Sequence, residues 1–212
     1  RRVPIVGSDG MLVGRELGAA TVGLVGMPPA ARSMSQLLAS FGSKVVGYDP
    51  ALHASDALWA RWNVRPVPLR ELLAASDAVC VLLQCFSRYR GLLGERFLPF
   101  CKPDQVMVSI AHSALFDEHA LADVLAGGRL AGAWLDNVAP GVLEDGRPLA
   151  RLPSLHVTPR VAGATRESRL RGAWAVARRL DELLMRAPAA PGGFRPSAPG
   201  AASDLGAGPA SR

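Results

Sequence analysis

Lysine is almost missing from this chain. Lys44 and Lys102 are the only two, so the net charge of +6 over 212 residues rests on arginine, and the arginines are scattered between apolar positions. A surface built for nucleic acid gathers basic residues on one face and interleaves aromatics with them, whereas aromatics make up only 6% of this sequence. Compositional bias and a basic C-terminal helix account for the charge, and no direct nucleic-acid partner is expected. Cysteine is scarce as well. Cys80, Cys85 and Cys101 are odd in number and fit no metal-ligand or redox spacing, which leaves buried free thiols in a reducing compartment, cytoplasmic or nuclear, and no metal site. No apolar run approaches the roughly 20 residues of a membrane span, so no membrane partner is expected.

Apolar residues, by contrast, are plentiful: 49% of the chain is hydrophobic, enough for one α/β domain of ordinary size to bury its own core. Short apolar runs alternate with helical patterns. Strands are expected over 21–25, 44–48, 78–83, 106–110, 130–135 and 155–158, and helices over 30–41, 69–75, 95–100, 117–125 and 166–185. Gly42 stands where a helix stop belongs. Such a βαβ series implies an α/β fold, a Rossmann-type doubly wound parallel sheet with helices on both faces, spanning 19–186. From residue 187 to 212 the chain is rich in Ala, Pro, Gly and Ser without a period, the composition of a disordered tail.

In a dinucleotide fold the pyrophosphate sits on the N-terminus of the first helix, where unpaired N–H groups and the helix dipole favour negative charge. Glycines there let the backbone approach the ligand closely. The matching stretch is Gly26-Met27-Pro28-Pro29-Ala30-Ala31: the first glycine stands, Ala31 is a tolerated third member, and Pro28 replaces the second. Two prolines remove donors and add bulk, although proline also favours the first turn of a helix. Asp49 follows about 20 residues after the loop, where a carboxylate accepts from the ribose hydroxyls of NAD; it serves equally well as a turn residue before Pro50. Arg32, in the first turn of the helix, is placed either to meet a phosphate or to face solvent.

Several spaced motifs occur in the order of a known family. They are Gly23-Leu24-Val25-Gly26, Gly47-Tyr48-Asp49-Pro50, Arg90-Gly91-Leu92-Leu93-Gly94, Lys102-Pro103, Ser109-Ile110-Ala111-His112-Ser113-Ala114-Leu115-Phe116-Asp117-Glu118, Gly128-Arg129-Leu130-Ala131-Gly132-Ala133-Trp134-Leu135-Asp136 and Thr158-Pro159-Arg160-Val161-Ala162-Gly163-Ala164-Thr165. Together they resemble the cofactor domain of the D-isomer-specific 2-hydroxyacid dehydrogenase superfamily. The resemblance implies NAD as cofactor, Gly26, Ala31, Arg32, Asp49 and Asp136 as cofactor-binding positions, and a homodimer formed through this domain, with Trp134 and the helix over 117–125 near that surface. It also implies that residues 1–18 are the lead-in from a substrate domain lying ahead of the cofactor domain.

The same resemblance exposes what is missing. Position by position, His112 stands where the family has its substrate-binding arginine, Gly141 where it has the glutamate that orients the acid-base histidine, and Arg160 where it has that histidine. Leu82 and Gln84 replace a histidine and a proline at a strand exit. Reduction of a 2-keto acid needs a cation on the carboxylate and a group that delivers a proton near neutrality. His112 and Arg160 are those two residue types exchanged, with no carboxylate at 141 to orient the histidine; Glu144, three residues on, would need a loop shift. Within the superfamily the pattern looks most like the C-terminal-binding protein branch and its plant ANGUSTIFOLIA type, which share the broken glycine loop and an arginine in the histidine's place. The resemblance therefore implies a non-catalytic, corepressor-like regulatory protein with weak or vestigial NAD binding and protein partners. The alternative is an NAD-dependent oxidoreductase acting on the CH-OH group of a D-2-hydroxy acid.

Overall fold

The computed structural model describes residues 16–186, so the expected tail over 187–212 and most of the lead-in lie outside the described residues. Two compact units are distinguished, 1–165 and 166–212. In the first, seven strands form one sheet: β1 (Thr21–Val25), β2 (Lys44–Tyr48), β3 (Arg65–Pro66), β4 (Ala78–Val81), β5 (Val106–Ser109), β6 (Gly132–Leu135) and β7 (Leu155–Val157). Their order is β3-β2-β1-β4-β5-β6-β7, and every pairing is parallel. The sheet is the expected doubly wound one, with the order reversing at β1 and β4, which is where such folds place their ligands.

The helices are α1 (Pro29–Ser40), α2 (Ala57–Arg61), α3 (Leu69–Ala75) and α4 (Glu118–Ala126) in the first unit, and α5 (Arg166–Arg186) in the second. Asp117 caps α4 by accepting from the Ala120 N–H at 2.9 Å, and Gly42 closes the turn after α1 at φ +79°. Two apolar clusters form, as a sheet covered on both faces requires. One joins Met107, Ala133 and Leu135 to Leu121 and Val124 of α4; the other joins Val22 and Leu24 to Leu38 of α1 and to Trp59.

Three expectations about elements change. The helix expected over 95–100 is a single 3-10 turn, Leu98–Phe100, because Pro99 has no N–H to continue an α-helical ladder and the Phe97 and Leu98 amides both turn back to Gly94 O at 2.9 Å. The short α2 and β3 fall in a stretch where the sequence pattern predicts no element; one turn of helix and a two-residue edge strand are too brief to carry a period. Trp134 and α4 do not share a surface. Side chains alternate along β6, so Trp134 points away from the face that carries Ala133, Leu135 and α4, and it stacks on His156 of β7 with ring centroids 4.8 Å apart.

Candidate active site at the carboxyl ends of the strands

The chain leaves β1 through Gly26, whose φ of +94° lies in the region that favours glycine. A Cβ there would lie 2.6 Å from Leu83 Cα and 2.7 Å from Leu83 N, so the loop packs directly on the exit of β4. Pro28 sits at the N-cap of α1 and Pro29 in its first turn, so neither offers an N–H where a diphosphate would rest. The Met27 N–H is also engaged, donating to Asp49 Oδ2 at 2.8 Å, while Asp49 Oδ1 accepts from the Ala51 N–H at 2.9 Å. Arg32 turns back, with Nε donating to Met27 O at 3.1 Å. The five expected cofactor positions therefore divide: Gly26, Ala31, Arg32 and Asp49 surround the β1–α1 loop, and Asp136 stands at the end of β6.

Those residues set what a dinucleotide would meet. The ribose end fits, because each Asp49 oxygen has a second lone pair and the carboxylate is already fixed by two backbone donors. The diphosphate end fits poorly, with two prolines where donors belong.

Asp136, expected to bind cofactor, is held by the turn that follows β7. It accepts from the Thr158 hydroxyl, from the Val161 N–H at 2.8 Å and from the Ala162 N–H at 2.8 Å, and its own carbonyl accepts from the Arg160 N–H at 2.6 Å. The Thr158 hydroxyl first, then the Ala162 and Val161 amides and the Arg160 charge, hold its carboxyl below the usual range. The clamp holds Arg160 at φ +55°, a left-handed conformation that a non-glycine residue adopts only when its surroundings impose it.

Arg160 and His112, which lie 48 positions apart in sequence, line the same cleft of about 620 Å³, with Leu82, Leu83 and Gln84 on its β4 side. His112 precedes a 3-10 turn, and its Nδ1 accepts from the Ala114 N–H at 3.1 Å, which puts the hydrogen of the neutral ring on Nε2. That nitrogen is the one an orienting carboxylate would need as a donor. Gly141, Glu144 and Arg160 line a separate, largely apolar cavity of about 630 Å³. There a tight turn, with the Glu144 N–H on Gly141 O at 3.2 Å, brings Glu144 Oε1 to 3.5 Å from where a Cβ at Gly141 would stand. Glu144 thus reaches the side-chain space beside position 141. No hydrogen bond joins it to His112 or Arg160.

Arg90, which opens the Arg90-Gly91-Leu92-Leu93-Gly94 motif, lines both the 620 Å³ cleft and an adjoining cavity of about 530 Å³ beside His112. Its position depends on pairing between two remote segments: Gly91 N–H donates to Ala114 O and Leu93 N–H to Leu115 O, each at 2.9 Å, and Asp117 N–H donates to Leu93 O at 3.0 Å. No local pattern carries that information. Among the described residues there is no cluster of three potential metal ligands, and no helix long and apolar enough to cross a membrane.

Comparison with known proteins places this geometry. Residues 6–162 match the family described as D-isomer specific 2-hydroxyacid dehydrogenase, NAD binding domain. Over 164 residues the chain is 35% identical to a D-3-phosphoglycerate dehydrogenase of Mycobacterium tuberculosis, covering 77% of this chain and 30% of that protein. It is 34% identical to an (S)-sulfolactate dehydrogenase of Chromohalobacter salexigens, over 77% of this chain and 52% of the relative. Among solved structures, an NAD-complexed D-isomer specific 2-hydroxyacid dehydrogenase from Lactobacillus delbrueckii superposes with a TM-score of 0.69 at 24% identity, covering 84% of this chain and 57% of that one. A glyoxylate reductase from Paecilomyes thermophila does so with a TM-score of 0.70 at 25% identity, covering 84% and 53%. The chain thus spans between 30% and 57% of the length of these proteins.

Proposed function

Because the chain belongs to the D-isomer specific 2-hydroxyacid dehydrogenase family, through its NAD-binding domain, we propose that it keeps the family's nucleotide fold without the family's hydride-transfer chemistry. The observation that carries this reading is the state of His112. Its Nδ1 accepts from the Ala114 N–H, and among the described residues no hydrogen bond joins its Nε2 to a carboxylate, so it acts as a cap on a turn rather than as a positioned acid. The residue in the family histidine's place, Arg160, is a guanidinium, a cation that donates hydrogen bonds and has no acceptor. NAD binds weakly in this reading, held at Asp49 and deprived of donors at Pro28 and Pro29. The protein's work is then regulation by association: a homodimer through this domain and protein partners, as in the corepressor-like branch whose broken loop and arginine it shares. Exposed Trp134, 38% accessible, is a residue such contacts would use.

A second reading, an NAD-dependent oxidoreductase acting on a D-2-hydroxy acid, is favoured by one observation: the Glu144 carboxylate already stands beside position 141. NADH oxidation by the full chain with pyruvate, glyoxylate or hydroxypyruvate separates the two. Turnover above background that disappears in Arg160→Gln supports the oxidoreductase and refutes the non-catalytic reading; a rate indistinguishable from buffer supports the latter.

A further inference from the structure

Helix α5 carries large apolar side chains in the open. Leu170, Trp174, Val176, Leu180, Leu183 and Leu184 are all exposed, Trp174 at 59% and Leu184 at 72%. A contiguous apolar surface of this kind marks an association site. At about 100° per residue, Leu170, Trp174, Ala177, Leu180 and Leu184 fall in one stripe along the helix, and Arg171, Arg178, Arg179 and Glu182 fall on the opposite side. The stripe covers about 21 Å of helix at 1.5 Å per residue.

The stripe has the same spacing in both directions. Its steps are four, three, three and four residues, with the small Ala177 at the centre. A two-fold axis through Ala177 lays a second copy of α5 antiparallel on the first, so that Leu170 meets Leu184 of the second copy and Trp174 meets Leu180 of the second copy. The two Ala177 methyls then stand at the closest approach. Such self-complementarity is what a two-fold pair requires, and opposed helix dipoles favour the antiparallel sense. Charge selects the same direction. Asp181 lies in the stripe between the angles of Ala177 and Trp174, so a parallel pair would set it beside Asp181 of the second copy, two like charges at one level of the seam. In the antiparallel pair it stands opposite Ala173 of the second copy, on the flank that carries Arg171 and Arg178 of the second copy. These two arginines bracket Trp174, and with Leu170 and Ala175 they line a recess of about 350 Å³ that such a carboxylate would enter.

We propose that α5 is a self-association helix: two copies of the chain pair antiparallel through Leu170, Trp174, Ala177, Leu180 and Leu184, with Asp181 of each copy seated between Arg171 and Arg178 of the other. The surface lies outside the nucleotide fold, so the pairing goes beyond the non-catalytic reading and stands without it.

The test is sedimentation velocity on the full chain over about a hundredfold range of concentration, in which association follows mass action. Leu170→Glu and Leu184→Arg should each weaken self-association by about tenfold or more, because each sets an unpaired charge against a leucine in the seam. The double variant Leu170→Glu/Leu184→Arg should return to within about threefold of the parent, since only an antiparallel pair sets the two new charges against each other, at both ends of the seam. Both positions are exposed, so helix content by circular dichroism should hold in every variant. Three results overturn the proposal: a chain that stays monomeric throughout, single variants that associate as the parent does, or a double variant that associates no better than the weaker single one. Dimerisation through the cofactor domain alone gives the second of these, and failure of the non-catalytic reading shows separately, as NADH turnover.

Discussion

Replacing His112 distinguishes a cap from a catalyst. In the structure its ring contributes one neutral hydrogen bond, Nδ1 accepting from the Ala114 N–H at 3.1 Å, to a turn that includes buried Ser113 and Leu115. Losing a bond of this kind costs about 1 kcal/mol, the usual size for a cap or a neutral hydrogen bond. In a unit of 165 residues that is a drop of roughly 2 to 4 °C in Tm for His112→Ala. His112→Asn is the informative partner. An asparagine carbonyl caps a turn as well as any side chain does, so its Tm should return to within about 1 °C of the parent, but it has no acid-base group near neutrality. Scanning calorimetry reads the first effect, and NADH oxidation with hydroxypyruvate reads the second. The cap interpretation requires Asn to rescue stability and neither variant to change a background rate. A parent rate that both variants abolish would refute it, and so would Ala and Asn variants that melt together at the parent temperature.

The remaining predictions concern the cofactor loop, the strand exit and the Asp136 clamp. The pair Pro28→Gly and Pro29→Arg should tighten NADH binding, measured by fluorescence titration, because it returns donors and space to the diphosphate seat; unchanged affinity would shift the blame to Leu82 and Gln84. Gly26→Ala should lower stability by about 2 to 5 kcal/mol, the sum of left-handed strain at φ +94° and a Cβ pressed to 2.6 Å from Leu83 Cα, visible as a fall in the denaturant midpoint. Asp136 titrates below the ordinary carboxylate range in the folded protein, so its contribution is fully present above the unfolded-state pKa and is lost as the pH falls through the lowered folded value. Asp136→Asn should therefore flatten the acid limb of a stability-pH curve, and an unchanged limb would count against the clamp. Burial pushes the Cys80 thiol up to about 11 and the Cys101 thiol up to about 12, so both should resist iodoacetamide at pH 8 in the folded chain and react once it is unfolded.

Six of the seven strands and the two longest helices were legible in the sequence because each carries a local physical signature. Apolar runs such as those of β1 and β2 can only be buried strands when helical periods separate them, and α5 shows its pattern over 21 residues. The spaced glycines and Asp49 were legible for the same reason: their chemistry follows from a loop and a strand end that local sequence defines. The replacements at 112, 141 and 160 could also be read directly, since a residue type is a property of the sequence.

What those replacements do to one another was decided by tertiary structure alone. The sequence places Glu144 three residues from Gly141, but only the tight turn through Val142 and Leu143 shows its carboxylate folding back onto position 141. Arg90 and Arg160 are 70 positions apart, and what brings them to one cleft is the parallel order of β4, β5, β6 and β7 together with loop-to-loop hydrogen bonds of no fixed sequence pattern. Asp136 reads as a cofactor residue by its place in a motif, yet its carboxylate lies within reach of the amides of Val161 and Ala162 only because β6 and β7 end side by side. Residue type and local period are fixed by covalent order; which donors an acid faces is fixed by the packing of distant segments, and that packing governs the chemistry of this site.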